Sequence, residues 1–224
     1  MRILHLTDFH FHKPWFDWAA QAARDFDLVA LTGDLLRCDA SLPFDRQVAW
    51  VRAWIDAFPG RLAICSGNHD EPAGWLNGAA RPAVTVDGGQ MALGGWGFES
   101  VGWGHLPTAG GARQVALVHC PPEGTATAKS RKDGADWGDF ELGELLRRGP
   151  VANRPRLILS GHLHAPLSWR HRVNGSWLLN PGVAAGGRVP RRIIIDLARQ
   201  TAERKGPDVG AQHLTMSSVT KWWR

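Results

Sequence analysis

The sequence lacks tyrosine altogether and contains no long uninterrupted hydrophobic run. Its longest apolar stretches, such as 157–159 and 193–195, fall far short of the roughly 20 residues that a membrane-spanning helix needs. The first residues show neither the long apolar segment nor the small-residue cleavage site of a secretory signal peptide. These absences argue against a membrane protein, and we expect a cytoplasmic location.

Cysteine is also scarce. The chain has three cysteines, Cys38, Cys65 and Cys120, and no two of them form a C-x-x-C pair. An odd, scattered set argues against a disulfide framework and against a zinc site built from thiolates.

The length and charge of the chain fit an ordinary globular protein. With 224 residues, 44% of them hydrophobic, the chain is long enough for one domain with a substantial core. Basic residues outnumber acidic ones by 26 to 21, which gives a formal charge of +5. This modest excess would suit an anionic substrate without identifying it.

Short apolar runs rich in β-branched residues alternate with helical patterns, which predicts an α/β fold. The predicted strands of this first set are 3–7, 28–32, 62–65, 115–118 and 157–160. Helices are predicted over 14–24, 45–58 and 140–147. In the second of these, Val51, Trp54 and Ile55 begin an i, i+3, i+4, i+7 apolar pattern that Phe58 completes.

The second half of the chain predicts a second, more antiparallel sheet packed on the first. Its strands are short and separated by glycine-rich turns; they are 84–86, 90–93, 98–101, 167–173 and 177–179. Residues 193–197 are predicted to form a closing strand. Asn174-Gly175 is a strong hairpin signal. Segment 121–137 is predicted to be a long irregular loop, and 201–224 a loosely held, basic polar tail outside a domain that spans 1–200.

Side chains that can bind metal follow five of the predicted strands. The five groups are Asp8 with His10, Asp34 after Gly33, Asn68-His69-Asp70 after Gly67, His119, and His162 with His164 after Gly161. In open α/β sheets, ligands bind at the carboxyl ends of the strands, so we expect these groups to meet. Carboxylates, imidazoles and a carboxamide, with no sulfur, suit Mn, Fe, Zn, Co or Mg.

Each group alone has a simpler interpretation. Asp8 and Asp34 could be loop or helix-cap residues, Asn68-His69-Asp70 could form a turn, and the histidines could be surface side chains. Seven potential ligands in five places are hard to attribute to coincidence, so the sequence predicts a metal site.

In order and rough spacing, the five groups resemble those of the calcineurin-like metallophosphoesterases. The resemblance covers residues 3–197 and includes Asn180-Pro181-Gly182 ahead of the last predicted strand. It implies two packed mixed β-sheets flanked by helices, which is a four-layer α/β/β/α sandwich. It also implies two divalent metal ions, with manganese favoured. The first ion would be bound by Asp8, His10 and His164, the second by Asn68, His119 and His162, and Asp34 would bridge them.

The resemblance further implies hydrolysis of phosphodiesters or phosphomonoesters by a hydroxide that bridges the metals. His69 would act as general acid, oriented by Asp70, and Asn68 would also contact substrate. Arg37 is similar to the phosphate-clamping arginine of phosphoprotein phosphatases but stands one residue nearer the aspartate than in their motif.

Compact size and the lack of a cap domain favour a phosphodiesterase, whose phosphate-ester substrate could be a nucleotide. No membrane association and no obligate protein partner are expected. The alternatives are a catalytically silent binding or scaffold module, a phosphoprotein phosphatase and a nuclease.

Overall fold

The computed structural model describes residues 1–39 and 42–216, and its regular elements form two β-sheets with helices on both outer faces. The first half of the chain contains strands β1 Arg2–Leu6, β2 Leu28–Thr32, β3 Leu62–Cys65, β4 Val84–Thr85, β5 Gln90–Leu93 and β6 Trp96–Ser100. The second half contains β7 Gly111–Leu117, β8 Pro155–Leu159, β9 Arg170–Val173, β10 Ser176–Leu179, β11 Arg192–Asp196, β12 Thr201–Gly206 and β13 Val209–Thr215. The α-helices are α1 Lys13–Ala22, α2 Phe44–Asp56 and α3 Phe140–Arg148.

The first sheet has seven strands in the order β13-β12-β11-β1-β2-β3-β4. Strands β1 to β4 are parallel, and β11 to β13 are joined to them as antiparallel neighbours. Buried apolar residues such as Leu4, Val29 and Ile64 face α1 and α2 on the outer side of this sheet. The helices therefore cover the first sheet, as the 3.6-residue apolar periodicity of α2 predicts.

The second sheet has six strands in the order β5-β6-β7-β8-β10-β9. Its outer face packs on α3 through Ala116, Ile158 and Leu146. Between the two sheets lies a shared core that includes Leu28 from β2 and Val115 from β7. The predicted four-layer α/β/β/α sandwich of two mixed sheets is thus confirmed.

Three predictions about the strands were wrong in detail. The predicted strands 115–118 and 157–160 do not belong with the first set, because β7 and β8 lie in the second sheet. The second sheet is not mainly antiparallel, because β6, β7, β8 and β10 are parallel and only the edge strands β5 and β9 run antiparallel. The long connection between β7 and β8 contains the irregular segment 121–137 and then α3, which gives the chain room to return for a parallel strand. The predicted strand 84–86 corresponds to β4, which pairs with β3 in the first sheet.

The prediction of a loosely held tail was wrong for residues 201–215. These residues form β12 and β13 at the edge of the first sheet. Every second residue of β12 is inward, but Ala202 is small and Arg204 is charged, so the sequence shows little apolar alternation. The buried Arg204 is accommodated because its Nε donates to the carbonyl of Pro181 at 2.8 Å. The rest of the predicted tail, 217–224, lies outside the described residues.

Within the described parts of the chain, none of the helices has the length and apolar character that crossing a bilayer requires.

Candidate metal centre

The five predicted groups of metal-capable side chains meet at one edge of the sandwich. Three groups follow β1, β2 and β3 of the first sheet, and two follow β7 and β8 of the second. Backbone hydrogen bonds join the loops in pairs: the amide of Asp8 donates to Gly33, and that of Gly161 donates to His119. The carboxyl ends of both sheets therefore contribute to a single site.

Several residues at this edge adopt a backbone conformation that L-residues rarely adopt. Asp8, His10, Asp34 and His162 all have positive φ, between 43° and 64°. Asp, Asn and His tolerate this left-handed region better than most residues, and such strain is concentrated at functional sites. The turns direct these four side chains back across the ends of their strands.

The glycines that precede three of the groups are required mainly by space. A Cβ on Gly161 would overlap Thr7 Oγ1 and come within 2.6 Å of Asp8 Oδ2, and one on Gly67 would overlap Asp34 Oδ1. A side chain at Gly33 is excluded for two reasons: its φ of +82° is unfavourable for other residues, and a Cβ would overlap Nδ1 of His119. Close approach of the loops is thus possible only without side chains at these positions.

Asp34 lies at the centre of the cluster. Its Oδ2 is 3.3 Å from Nε2 of His119, 3.8 Å from Nε2 of His69 and 3.9 Å from Nε2 of His10. Its other oxygen, Oδ1, accepts from the amide of His69 at 2.9 Å. One carboxylate oxygen therefore faces imidazoles from three separate segments of the chain.

One side of the cluster consists of Asp8, His10 and His164. Nε2 of His164 is 3.4 Å from Asp8 Oδ1 and 2.9 Å from Nε2 of His10. The second carboxylate oxygen of Asp8 accepts from Thr7 Oγ1 at 2.6 Å, which leaves Oδ1 directed at the histidines. These are the three residues that the sequence assigns to a first metal.

The other side consists of Asn68, His119 and His162. Asn68 Oδ1 is 3.1 Å from Nδ1 of His162, and the rings of His119 and His162 have centroids 5.1 Å apart. The edges and faces of both imidazoles also pack on the indole of Trp103, at centroid distances of 5.6 and 5.7 Å. These three residues, predicted to bind a second metal, are thus brought together.

The electrostatics of the cluster favour positive charge between the carboxylates. Burial opposes ionisation of Asp8, but contact with His164 and the charge of His119 hold its pKa at about 2. Burial also opposes charge on His119, yet contact with Asp34 and the charge of Asp8 raise its pKa to about 9. Opposite charge outweighs desolvation in both cases.

The donor set fits a divalent metal ion. Asp8 Oδ1 is buried and has no aligned hydrogen-bond partner within the described residues. Three overlapping sets of potential ligands each have their atoms within 4.8 Å of one another; the sets are Asp8/His10/His164, His10/Asp34/His69 and Asp8/Asp34/His119. Carboxylate oxygen and imidazole nitrogen are suitable ligands for first-row divalent metals.

The contact predicted between Asp70 and His69 was wrong. The two carboxylate oxygens of Asp70 accept from the backbone amides of Gly67 and Leu36, both at 2.9 Å. Burial and the charge of Asp34 raise the pKa of Asp70 to about 7. Asp70 therefore holds the turn that carries Asn68. From the sequence alone, an aspartate that binds backbone amides cannot be told from one that orients a histidine.

Arg37 is placed beside Asp39, with its Nε 2.7 Å from Oδ2 of that residue. Its backbone is fixed by Gln47, which bonds both its amide and its carbonyl group. A role for Arg37 in substrate binding remains a prediction.

Four supporting residues were missed or left without a role. Thr7 bonds Asp8, the carbonyl of Thr32 accepts from His119, and Trp103 packs on two predicted ligands. Asn180 Nδ2 donates to the carbonyls of Gly161 and Leu163 at 2.8 and 3.2 Å and so braces the loop between His162 and His164. Of these, only Asn180 carries a sequence signal, because it begins the Asn-Pro-Gly motif.

The chain is similar to known proteins in both sequence and fold. Residues 1–200 match the model of the calcineurin-like phosphoesterase superfamily domain. The fold is similar to that of TT1561 of Thermus thermophilus, with a TM-score of 0.58 at 14% identity over 96% of this chain and 99% of that one. It is also similar to YfcE, a phosphoesterase from E. coli, with a TM-score of 0.51 at 13% identity over 97% of this chain and all of the other, 100%.

At such low identities, the structural likeness shows the fold alone. No curated protein matches the chain. The family model, however, spans most of the sequence and includes all five groups of the cluster. The chain therefore belongs to the calcineurin-like phosphoesterase superfamily.

Proposed function

We propose that this protein is a phosphoesterase that depends on two divalent metal ions and prefers phosphodiesters. The observation that carries the proposal is the position of Asp34 Oδ2, within 4 Å of imidazole nitrogens of His10, His69 and His119. Asp8, His10 and His164 would hold one ion, Asn68, His119 and His162 the other, with Asp34 between them. When bound, such ions would activate water and offset charge on the phosphoryl oxygens, and manganese is our first choice.

His69 is the proposed general acid. Its side chain is 30% exposed, whereas that of His119 is fully buried, so a substrate can reach His69. His10 and His164 are also accessible, but both are assigned to the first ion. The amide of His69 is tied to Asp34 Oδ1, and its ring packs edge-on against that of His10 at a centroid distance of 4.6 Å. An imidazolium held in this way could donate a proton to the departing oxygen of an ester.

The preference for diesters is inferred from charge. A phosphomonoester carries more negative charge than a diester and gains more from a guanidinium clamp. The one arginine predicted as a clamp, Arg37, is bound to Asp39. We therefore expect bis(p-nitrophenyl) phosphate to be hydrolysed with a higher kcat/KM than p-nitrophenyl phosphate.

The decisive experiment is an assay of both esters with added Mn²⁺, using wild type, Asp34→Asn and the matched surface variant Asp17→Ala. We expect hydrolysis by wild type and Asp17→Ala, and a loss of at least 100-fold in Asp34→Asn. Full activity in Asp34→Asn would contradict the proposed centre. Faster hydrolysis of the monoester would overturn the preference for diesters while leaving the centre intact.

A silent binding module is the main alternative, because relatives with this fold can lose catalysis. Such a module would be expected to lose ligands or the proton donor, and here all seven predicted ligands and His69 are present. Absence of turnover with either ester, together with intact metal binding, would favour the module.

A further inference from the structure

A second cavity lies at the edge of the sandwich opposite the metal cluster. It has a volume of ≈ 860 Å³ and is lined by residues near the amino ends of β7, β8 and β10, including Arg113, Arg156 and Trp177. Met1 and Leu197, which are adjacent to β1 and β11 of the first sheet, also line it. The predicted metal ligands follow the carboxyl ends of β7 and β8, so the length of these strands, about 3.3 Å per residue, separates the two sites.

The charge of this cavity is entirely positive. Arg113, Arg154 and Arg156 line it, and no aspartate or glutamate is among the described lining residues. None of these three arginines forms an ion pair in the described part of the chain. Arg154 and Arg156 donate instead to neutral backbone carbonyls, those of Gly149 and Gly175 among them. An anion entering the cavity would thus meet guanidinium groups that no carboxylate neutralises.

Partial burial of Arg156 also favours the binding of an anion in the cavity. Desolvation and the neighbouring Arg172 lower the pKa of Arg156, which shows that its positive charge is poorly compensated. The planar fork of arginine matches carboxylate, phosphate and sulfonate oxygens, and hydrogen bonds to charged groups are stronger than neutral ones. Three such groups around one cavity are therefore a suitable receptor for an acidic group.

Besides the arginines and the polar Asn174, Ser176 and Gln200, the lining is apolar and partly aromatic. Trp96 and Trp177 line the cavity with Met1, Leu157 and Leu197. Flat apolar groups pack well against indole rings, and a volume of this size lies in the range of about 300–1,000 Å³ that is typical of small-molecule sites. A simple inorganic anion would leave this surface exposed.

We propose that the cavity binds a small organic anion that combines an acidic group with a planar aromatic body. The arginines would contact the acidic group, and the indoles would cover the aromatic body. Nothing in this proposal depends on the catalytic centre, so the two can be tested separately.

The test uses 1-anilinonaphthalene-8-sulfonate as the probe and follows its fluorescence on titration with the full chain. We expect saturable binding at one site per chain. The uncharged analogue N-phenyl-1-naphthylamine should bind at least tenfold more weakly, because it lacks the group that arginine would contact. Equal binding of the two probes would overturn the role of the arginines.

Variants locate the site. Arg113→Glu reverses the charge of an exposed lining residue and should weaken binding of the sulfonate probe at least tenfold. The matched control Arg52→Glu, on the exposed face of α2 and away from the cavity, should leave binding unchanged. Asp34→Asn should also bind normally, because it affects only the metal cluster. Loss of binding in Asp34→Asn, or unchanged binding in Arg113→Glu, would place the probe elsewhere and overturn the proposal.

The chemistry of the acidic group can then be narrowed by competition. If the natural ligand is a phosphate ester, adenosine monophosphate should displace the probe and adenosine should not. If a carboxylate is preferred, naphthalene-1-carboxylate should displace it instead. Failure of every anion to compete would show that the probe binds nonspecifically and would overturn the proposal.

Discussion

The carbonyl oxygen of Thr32 accepts a hydrogen bond from Nδ1 of His119 at 2.7 Å. A carbonyl cannot donate, so the proton lies on Nδ1 and Nε2 is directed at Asp34. Thr32 ends β2 in the first sheet, whereas His119 follows β7 in the second. This bond therefore fixes both the tautomer of a predicted ligand and the approach of the two sheets at the site.

Replacing His119 should reduce metal binding. We expect His119→Ala to bind Mn²⁺ at least tenfold more weakly than wild type, because the variant loses a buried nitrogen that faces Asp34. Calorimetric titration and elemental analysis would measure this. His213→Ala, an exposed histidine on β13, is the control. Unchanged affinity and stoichiometry in His119→Ala would show that His119 is not a ligand.

Replacing His69 should separate catalysis from metal binding. His69→Ala is expected to keep its metal content but to lose about 10²–10⁴-fold in kcat, the range typical of general acid catalysis. The loss should be larger for esters with poor leaving groups, since these need the proton most. A series of aryl phosphodiesters of different leaving-group pKa would test this, and an equal loss across the series would contradict the role of His69.

Asn180 should act through the loop that carries His162 and His164. Asn180→Asp keeps the size of the side chain and the oxygen that accepts from the amide of Gly182, but it loses the donors to Gly161 and Leu163. The carbonyl of Gly161 would keep only the bond from the amide of Leu163, that of Leu163 would lose its side-chain donor, and the new carboxyl group would itself be buried. The variant should therefore lose at least about 1–3 kcal/mol of stability. Metal affinity should fall together with the urea midpoint. Wild-type metal affinity in a destabilised variant would restrict Asn180 to a purely structural role.

The stability of the fold should decline in acid because of His5. This residue is buried in β1, with Nε2 2.9 Å from Thr32 Oγ1, and burial lowers its pKa from 6.5 to about 3. Below pH 6.5, His5 is protonated in the unfolded chain but stays neutral in the folded protein. The free energy of unfolding therefore falls between pH 6.5 and about pH 3, and His5 does not affect it above pH 6.5.

At pH 5 this effect should amount to about 2 kcal/mol. His5→Gln retains a donor for Thr32 but does not titrate, so its loss of stability between pH 7.5 and pH 5 should be smaller by that amount. Urea unfolding in the presence of a chelator would compare the two chains without a contribution from metal. Identical pH dependence in both would rule out His5 as the cause.

Much of the site could be predicted from the sequence because its ligands are of distinctive types and follow strands that are strongly apolar. Asp8 and Asp34 each follow such a strand, and their convergence follows from the parallel pairing of β1 and β2. His119 follows β7 in the second sheet and meets them because the two sheets pack on each other. The supporting contacts could not be predicted in this way. Thr32 acts through its carbonyl, which every residue has, and Trp103 lies in an irregular segment with no periodicity.

Some strands of the fold could likewise be predicted from the sequence, and others could not. Strands β2 and β3 are marked by nearly continuous apolar runs, and the apolar run of β1 is interrupted only by the buried His5; such runs are typical of buried parallel strands. The last two strands of the first sheet, β12 and the edge strand β13, have few apolar residues, because only Ala202 and Leu214 enter the shared core from them. The role of Asp70 was predicted wrongly because its partners are the backbone amides of Gly67 and Leu36. Nearly every residue has such an amide, so the order of side chains does not indicate these bonds.

Division of the predicted ligands between the two sheets has a mechanical consequence. Any sliding of one sheet over the other would separate Asp34 from His119, so the coordination geometry reports on the alignment of the whole sandwich. A cation bound there would link the two sheets of the sandwich. Substitutions deep in the shared core, far from any predicted ligand, could thereby lower the affinity for metal before they unfold the protein.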